Sequence, residues 1–237
     1  MPANTSSNAV RALDILLILG DAGYDGLSLA EIAGRLEQAK PAVHRSLKSL
    51  FQKGFVEPVG RRGYYRLGPA IPMLARRLGR LEPMILKYRP GITEFARRTG
   101  FTVYMMVQAG EDAVCAEMVS RSPRNHFSMG VGARVPMGVA AGSVALLSML
   151  PVDECERLIE ANAQRYASHP SVQFVDRTIV AGQVADARRR GFAVNMGYYL
   201  PGEGGLGLPV PGTNAFEVDI AISFTVPLEV MNEEWMR

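Results

Sequence analysis

Between residues 40 and 50 the chain reads Lys-Pro-Ala-Val-His-Arg-Ser-Leu-Lys-Ser-Leu, a run crowded with hydrogen-bond donors. At about 100° per residue, Val43, Leu47 and Leu50 share one narrow sector of a helix, with Phe51 at its edge. Arg45, Lys48, Ser49 and Gln52 fall on the far side, and His44 on the flank. Such a helix suits either a solvated surface or a polyanion. In the second case the cations neutralise phosphates while polar side chains meet base edges. A little downstream, Gly60-Arg61-Arg62-Gly63 brackets two more cations inside a tight turn.

The other groups able to do chemistry form no comparable pattern. His44, His126 and His169 are the only histidines, and none sits in a metal-binding spacing such as HExxH. Cys115 and Cys155 form no CxxC, which suits two buried thiols in a reducing cytoplasm. Gly130-Val131-Gly132 lacks the third glycine of a dinucleotide fingerprint. GEGGLG is followed by Leu-Pro rather than by the lysine of a phosphate loop. Ser143 has no GxSxG elbow. No enzyme, cofactor or metal site is expected.

Charge divides the 237 residues unevenly. Residues 1–80 hold 12 Lys/Arg against 6 Asp/Glu, and the remainder 14 against 17. Within 38–80 there are 10 basic side chains and one acid, Glu57. One half is built to meet an anionic partner, and the other does something else. The longest early aliphatic run, Ile15 to Leu19, is far too short to span a bilayer. With Asp14 on its flank and no basic leader, it does not resemble a secretory signal, so a cytoplasmic location is expected.

The elements that must position these residues read as follows. Ser6 or Ser7 caps a helix carrying Val10, Leu13, Leu16 and Leu17 inward and ending near Gly20. Ser28-Leu29-Ala30-Glu31 is a capping box opening a second helix. Pro41 suits the first turn of the third, and Gly54 its stop. Strands at 55–59 and 64–67 flank the arginine turn. Three helices and a basic-tipped hairpin make a winged helix-turn-helix. Beyond Gly68 the spacing predicts a linker helix ending near Leu81 and an entry helix over 91–99. FTVYMMVQAG and EDAVCAEMVS read as strands. A glycine-punctuated loop leads to a helix starting near Ser143, and VDECERLIEANAQRY and DRTIVAGQVADARRRG read as amphipathic helices. The end alternates strands with a glycine-rich turn at LPGEGGLG and a separate strand at LPVPG. Overall the fold class is α+β, with domains at 1–80 and 81–237.

AVRALDILLIL, LSLAEIAGRL, KPAVHRSLKSLFQKGFVE and YYRLG together resemble the DNA-binding domain of IclR-type bacterial transcriptional regulators. GARVP, ALLSMLP, RRRGFAV and IAISF resemble the effector domain of the same family. The resemblance implies a homodimer or dimer of dimers that binds a double-stranded DNA operator. It also implies a GAF-like C-terminal domain holding a small metabolite, often an organic or aromatic acid. Many relatives carry Leu-His-Ala-Thr-Ala-x-Gly-Lys after Arg-x-Pro, whereas this chain reads Met137-Gly138-Val139-Ala140-Ala141-Gly142-Ser143-Val144. An acidic pocket residue of some relatives falls at about Tyr199.

The expected roles follow from both readings. Lys40, Ala42, His44, Arg45 and Ser46 approach bases and phosphates, with Val43 leaning toward the core. Lys48 reaches backbone phosphate, and Arg61 and Arg62 anchor the wing. In the second domain, Gly138, Val139, Ala140, Ala141 and Ser143 at a helix N-terminus either receive a carboxylate or simply allow close packing of helix on sheet. Ser223 and Thr225 alternate on one strand and face one side, and Tyr198, Tyr199 and Phe127 offer an aromatic wall. The expected function is a ligand-responsive regulator of a catabolic operon. The alternative is a metabolite-binding or enzymatic module whose basic N-terminal domain docks a protein partner.

Overall fold

In the computed structural model, which describes residues 8–60, 63–75, 79–120, 130–168, 175–200, 202–215 and 217–231, the chain divides into two units, Met1–Gly79 and Arg80–Arg237. Unit one begins with α1 (Asn8–Gly20), β1 (Leu27–Ser28), α2 (Leu29–Arg35) and α3 (Lys40–Gln52). The hairpin β2 (Val56–Pro58) and β3 (Tyr64–Leu67) follows, then α4 (Ala70–Ala75). The three short strands pair antiparallel in the order β1-β3-β2. The capping box forms as the sequence predicts: the Glu31 amide donates to Ser28 Oγ at 3.2 Å, and the Ser28 amide donates to the Glu31 carboxylate at 2.8 Å. Ile15, Leu19, Ile32, Val43, Leu47 and Val56 make the core of this unit.

The buried face of α1 differs from the one read in the sequence. Arg11, Ile15 and Leu19 are buried, while Val10, Leu13 and Leu17 are exposed, Leu13 by 61%. Only Leu16 among the four expected residues packs against the core, and it is half-buried. So many positions of α1 are apolar that spacing alone does not choose a face; contact with α3 and β3 does. Arg11 is accommodated because its guanidinium donates to Asn8 Oδ1 at 2.7 Å and to Gln38 Oε1. The second bond ties α1 to the turn just before α3.

Unit two begins with α5 (Leu81–Thr99), β4 (Val103–Ala109), β5 (Asp112–Val119) and β6 (Arg134–Pro136). Three helices follow, α6 (Ala141–Met149), α7 (Val152–Ser168) and α8 (Arg177–Arg190). Strands β7 (Ala193–Leu200), β8 (Glu203–Val210) and β9 (Ile220–Pro227) complete it, with a 3₁₀ turn at Leu228–Val230. All six strands form one antiparallel sheet in the order β6-β5-β4-β9-β8-β7. Strand alternation sorts its faces. Tyr104 and Met106 join the core around α6, while Val103 and Met105 turn to the face covered by α5. Among the described residues no helix is long and apolar enough to cross a membrane.

Two expected breaks are absent. The linker helix was expected to end near Leu81 and the entry helix to begin only near Gly91, yet α5 runs unbroken from Leu81 to Thr99 with Pro90 inside it. Pro83 falls in the first turn, where an amide has no intrahelical partner to lose. GEGGLG and LPVPG form not a turn and a short strand but the single strand β8. Its glycines serve close approach. A Cβ at Gly207 would run into the Ala141 carbonyl, and one at Gly205 would stand 3.3 Å from the Ala141 Cβ. The start of α6 therefore rests on the strand itself.

Both cysteines are buried free thiols. Burial, with a further contribution from Glu117, pushes the Cys115 thiol up to about 12. Burial also raises Cys155. Because the thiolate is the reactive form, a thiol-specific reagent is expected to modify neither in the native protein and both after denaturation. Rapid native-state labelling would contradict this. Gly207→Ala is expected to destabilise the protein by about 1–3 kcal/mol through overpacking. A urea unfolding midpoint equal to that of the parent protein would show that α6 does not need its glycine seat.

Candidate functional site: a cationic helix and a sheet-floored cavity

The first candidate surface is built on α3. Glu37 adopts φ 52° between α2 and α3, and the Gln38 amide donates to the Ala33 carbonyl at 3.0 Å, closing the turn. Pro41 stands in the first turn of α3, which has no side-chain cap and no acidic residue. The positive end of the helix dipole is thus left uncompensated next to Lys40. Val43, Leu47 and Leu50 are buried, while Lys40, His44, Arg45 and Lys48 are exposed. Among the described residues none of Lys40, Arg45 or Lys48 takes part in an ion pair. Ala42 is half-buried beside them.

Ser46 does not belong to that surface. It is 6% exposed and lies on the buried side of α3 with Val43 and Leu47. Three residues on from Val43, it shares the core-facing stripe, and serine is small enough to fit there. Glu57, the lone acid of the basic segment, pairs with Arg66 across the hairpin at 2.7 Å. The cations of α3 therefore keep their charge unopposed by it. Arg61 and Arg62 lie outside the described residues, as does Phe127.

The second candidate is a small cavity of unit two, about 40 Å³ and partly open to solvent. Its floor comes from three neighbouring strands: Tyr104 on β4, Ser223 and Thr225 on β9, Gly205 on β8. Register places these together, with Tyr104 opposite Ser223 and Gly205 opposite Thr225. Ala140, Ala141 and Gly142 close one end at the start of α6, and Tyr199 and Leu200 of β7 form a side. Asn195, Glu203, Gly204 and Phe224 also line it.

Of the sequence-expected effector residues, Ala140, Ala141, Tyr199, Ser223 and Thr225 line this cavity, whereas Gly138, Val139 and Ser143 do not. Those three build the turn that delivers α6. Gly138 has φ 103°, a conformation that disfavours other residues, and it packs against Val180 of α8. Val139 is fully buried in the core. The Ser143 hydroxyl accepts from the amides of Gly138 and Ala140, both at 3.0 Å, and donates to the Ala140 carbonyl at 2.8 Å. Its capacity is spent on the turn, so it has nothing to offer a ligand. Asn195 donates to the Val139 carbonyl at 2.8 Å and Tyr166 to that of Met137 at 2.6 Å, fixing the same loop. Tyr198 packs against the core beside Tyr199.

The sequence reading missed Tyr104, Asn195, Leu200, Gly205 and Glu203. The glycines at 205 and 207 are two residues apart, which is the sign of one strand face kept bare; it was hidden by reading them as a turn. Tyr104 is 2% exposed, and its hydroxyl makes no hydrogen bond of normal geometry among the described residues. Burial chiefly pushes its phenol up to about 12; Thr225 opposes the shift, and Cys115 and Glu203 add to it. Burial and nearby Tyr104 likewise push Tyr199 up to about 12. Both phenols stay protonated at neutral pH and can donate. No group of three metal-ligating side chains occurs among the described residues.

With the geometry in place, comparison with known proteins is informative over almost the whole chain. The family profile of the IclR helix-turn-helix domain matches residues 9–60. That of the bacterial transcriptional regulator IclR C-terminal region matches residues 81–237. The chain is 31% identical over 221 residues to an HTH-type transcriptional regulator of Mycobacterium tuberculosis, covering 92% of this chain and 82% of that protein. It is 28% identical to the probable transcriptional regulator SauR of Cupriavidus necator, over 98% of this chain and 90% of that one. Among solved structures, an IclR homologue from Microbacterium hydrocarbonoxydans complexed with 4-hydroxybenzoate superposes with a TM-score of 0.74. It is 20% identical and covers 97% of this chain and 92% of its own.

If Ser143 serves the turn, Ser143→Ala leaves two amides without a partner and is expected to cost about 1–3 kcal/mol of stability. Thermal or chemical unfolding checks this. An unchanged midpoint would return the hydroxyl to the list of ligand contacts.

Proposed function

The chain belongs to the IclR family of transcriptional regulators, and from that premise we propose that α3 reads a double-stranded DNA operator of a catabolic operon, under control of a small organic or aromatic acid held in the cavity beside α6. The observation that carries the DNA half is the division of α3. Its apolar seam is locked in the core, and Lys40, His44, Arg45 and Lys48 face outward. Arg45 is assigned to base edges, Lys40 and Lys48 to phosphates, and Arg61 and Arg62 to the wing. His44 and Ala42 flank the reading face. Ser46 supports α3 from within.

The ligand half rests on the cavity. The first amides of α6 have no carbonyl one turn earlier to bind, and the helix dipole favours an anion there. The lining of Tyr104, Tyr199 and Leu200 suits an apolar or aromatic body. An aromatic acid in a relative of the same fold agrees in type. One recognition helix spans only a few base pairs, so the protein is assigned as a homodimer or dimer of dimers on paired half-sites. The acid shifts operator occupancy to the extent that it binds one arrangement of the assembly more tightly than another.

The test begins with a duplex selected by the parent protein from a random library. Arg45→Ala is expected to cost about 1–3 kcal/mol on that duplex and to relax base preference at one position. Lys48→Ala is expected to weaken selected and unselected duplexes alike and to lower the salt slope by about 0.9. Equal losses for both variants on every sequence, or binding indifferent to salt, would refute the assignment.

A further inference from the structure

The effector cavity has an unusual charge pattern. Among the described residues its lining includes one carboxylate, Glu203, and no Lys, Arg or His. Among the described residues Glu203 takes part in no ion pair and no side-chain hydrogen bond. It stands two residues from Gly205 on β8, on the same strand face, and so about 7 Å from the glycine over which α6 begins. The cavity is therefore polar at two separated points of opposite character. Amides of a helix N-terminus mark one end, and a lone carboxylate the other.

Tyr104 supplies a second, independent sign that a ligand completes this site. Tyr104 lines the cavity, and its hydroxyl is sealed from solvent and makes no hydrogen bond of normal geometry among the described residues. A buried hydroxyl without a partner is costly, and native proteins leave few of them. Glu203 shares the strand face of Gly205 and lines the cavity with it. Ser223 and Thr225 add hydroxyls between the two ends.

Resting on the reading of this cavity as the effector site, we propose that Glu203 sets effector specificity by demanding a hydrogen-bond donor, an ammonium or hydroxyl group, at the end of the molecule opposite its carboxylate. A dicarboxylate of the same length would bring a second anion against Glu203 with no cation to offset it. An acid with a bare apolar end would leave the carboxylate desolvated and unpaired. The selected class is thus amino- or hydroxy-substituted small acids.

The experiment is calorimetric titration of the full-length protein and its Glu203→Gln variant with probes matched in size. These are 4-(aminomethyl)benzoate, 4-hydroxybenzoate, benzoate and terephthalate, with 4-aminobutyrate, butyrate and succinate as an aliphatic set. In the parent protein the donor-bearing acids of at least one set bind at least about tenfold more tightly than the dicarboxylate. Glu203→Gln abolishes that preference while preserving affinity for the unsubstituted acid. Should Glu203→Gln fail to fold by thermal melting, Glu203→Ala takes its place. An unaltered order of affinities in a folded variant, or tight dicarboxylate binding by the parent, overturns the role of Glu203 and leaves the effector cavity standing. If no probe of either set binds the parent protein, the cavity reading fails, and this inference fails with it.

Discussion

The close seating of α6 on β8 is the constraint from which the ligand-facing half of the molecule follows. A helix normally stands off a sheet by the thickness of two layers of side chains. Here Gly205 and Gly207 remove one of those layers, and the start of the helix comes down onto strand backbone. That approach carries the helix amides to the sheet surface and leaves space, rather than packed side chains, where the floor continues toward Glu203. The surrounding contacts all serve to hold it. Ser143, Asn195 and Tyr166 fasten the preceding loop, and Val180 of α8 covers Gly138. Polar groups that in a fully packed core would need internal partners instead face a cavity.

The DNA-facing half obeys a simpler rule, in which burial of one helix face guarantees exposure of the other. Val43 and Leu47 lock α3 into its bundle, so Arg45 and Lys48 have no route inward. Arg11 adds orientation by bonding Gln38 at the turn before α3, coupling the first helix to the third. The Glu57–Arg66 pair acts on charge: it engages the one acid of residues 38–80. The same helix that holds the domain together thereby carries its cations at the surface, and any change that loosens its seam also disturbs that face.

Legibility in the sequence tracked how local each determinant is. The capping box of α2, the limits of α3 and the hairpin strands were readable because hydrogen bonds within a few residues settle them. Strands β4 and β5 were readable from their β-branched and aromatic content. Reading failed where a distant contact made the choice. The inward face of α1, the continuity of α5 through Pro90 and the strand character of GEGGLG all depend on what packs against them. Among site residues, Ser223 and Thr225 followed from alternation along one strand. Glu203 and Tyr104 did not, because nothing in their own segments tells which cavity they share.

By itself the sequence determined a basic amphipathic helix, a winged helix-turn-helix around it, and a second domain of strands and helices without catalytic or metal-binding spacing. These are consequences of periodicity, capping and charge, all carried by residues close in the chain. Only the tertiary structure decided which small residues line a cavity and which merely bend the backbone, for Gly138 and Ser143 shape a turn while Gly205 floors the site. It also decided that Ser46 points inward and that Glu203 lines the cavity. The reason is that β4, β9 and β8 meet by long-range pairing, and a cavity is a property of what surrounds it.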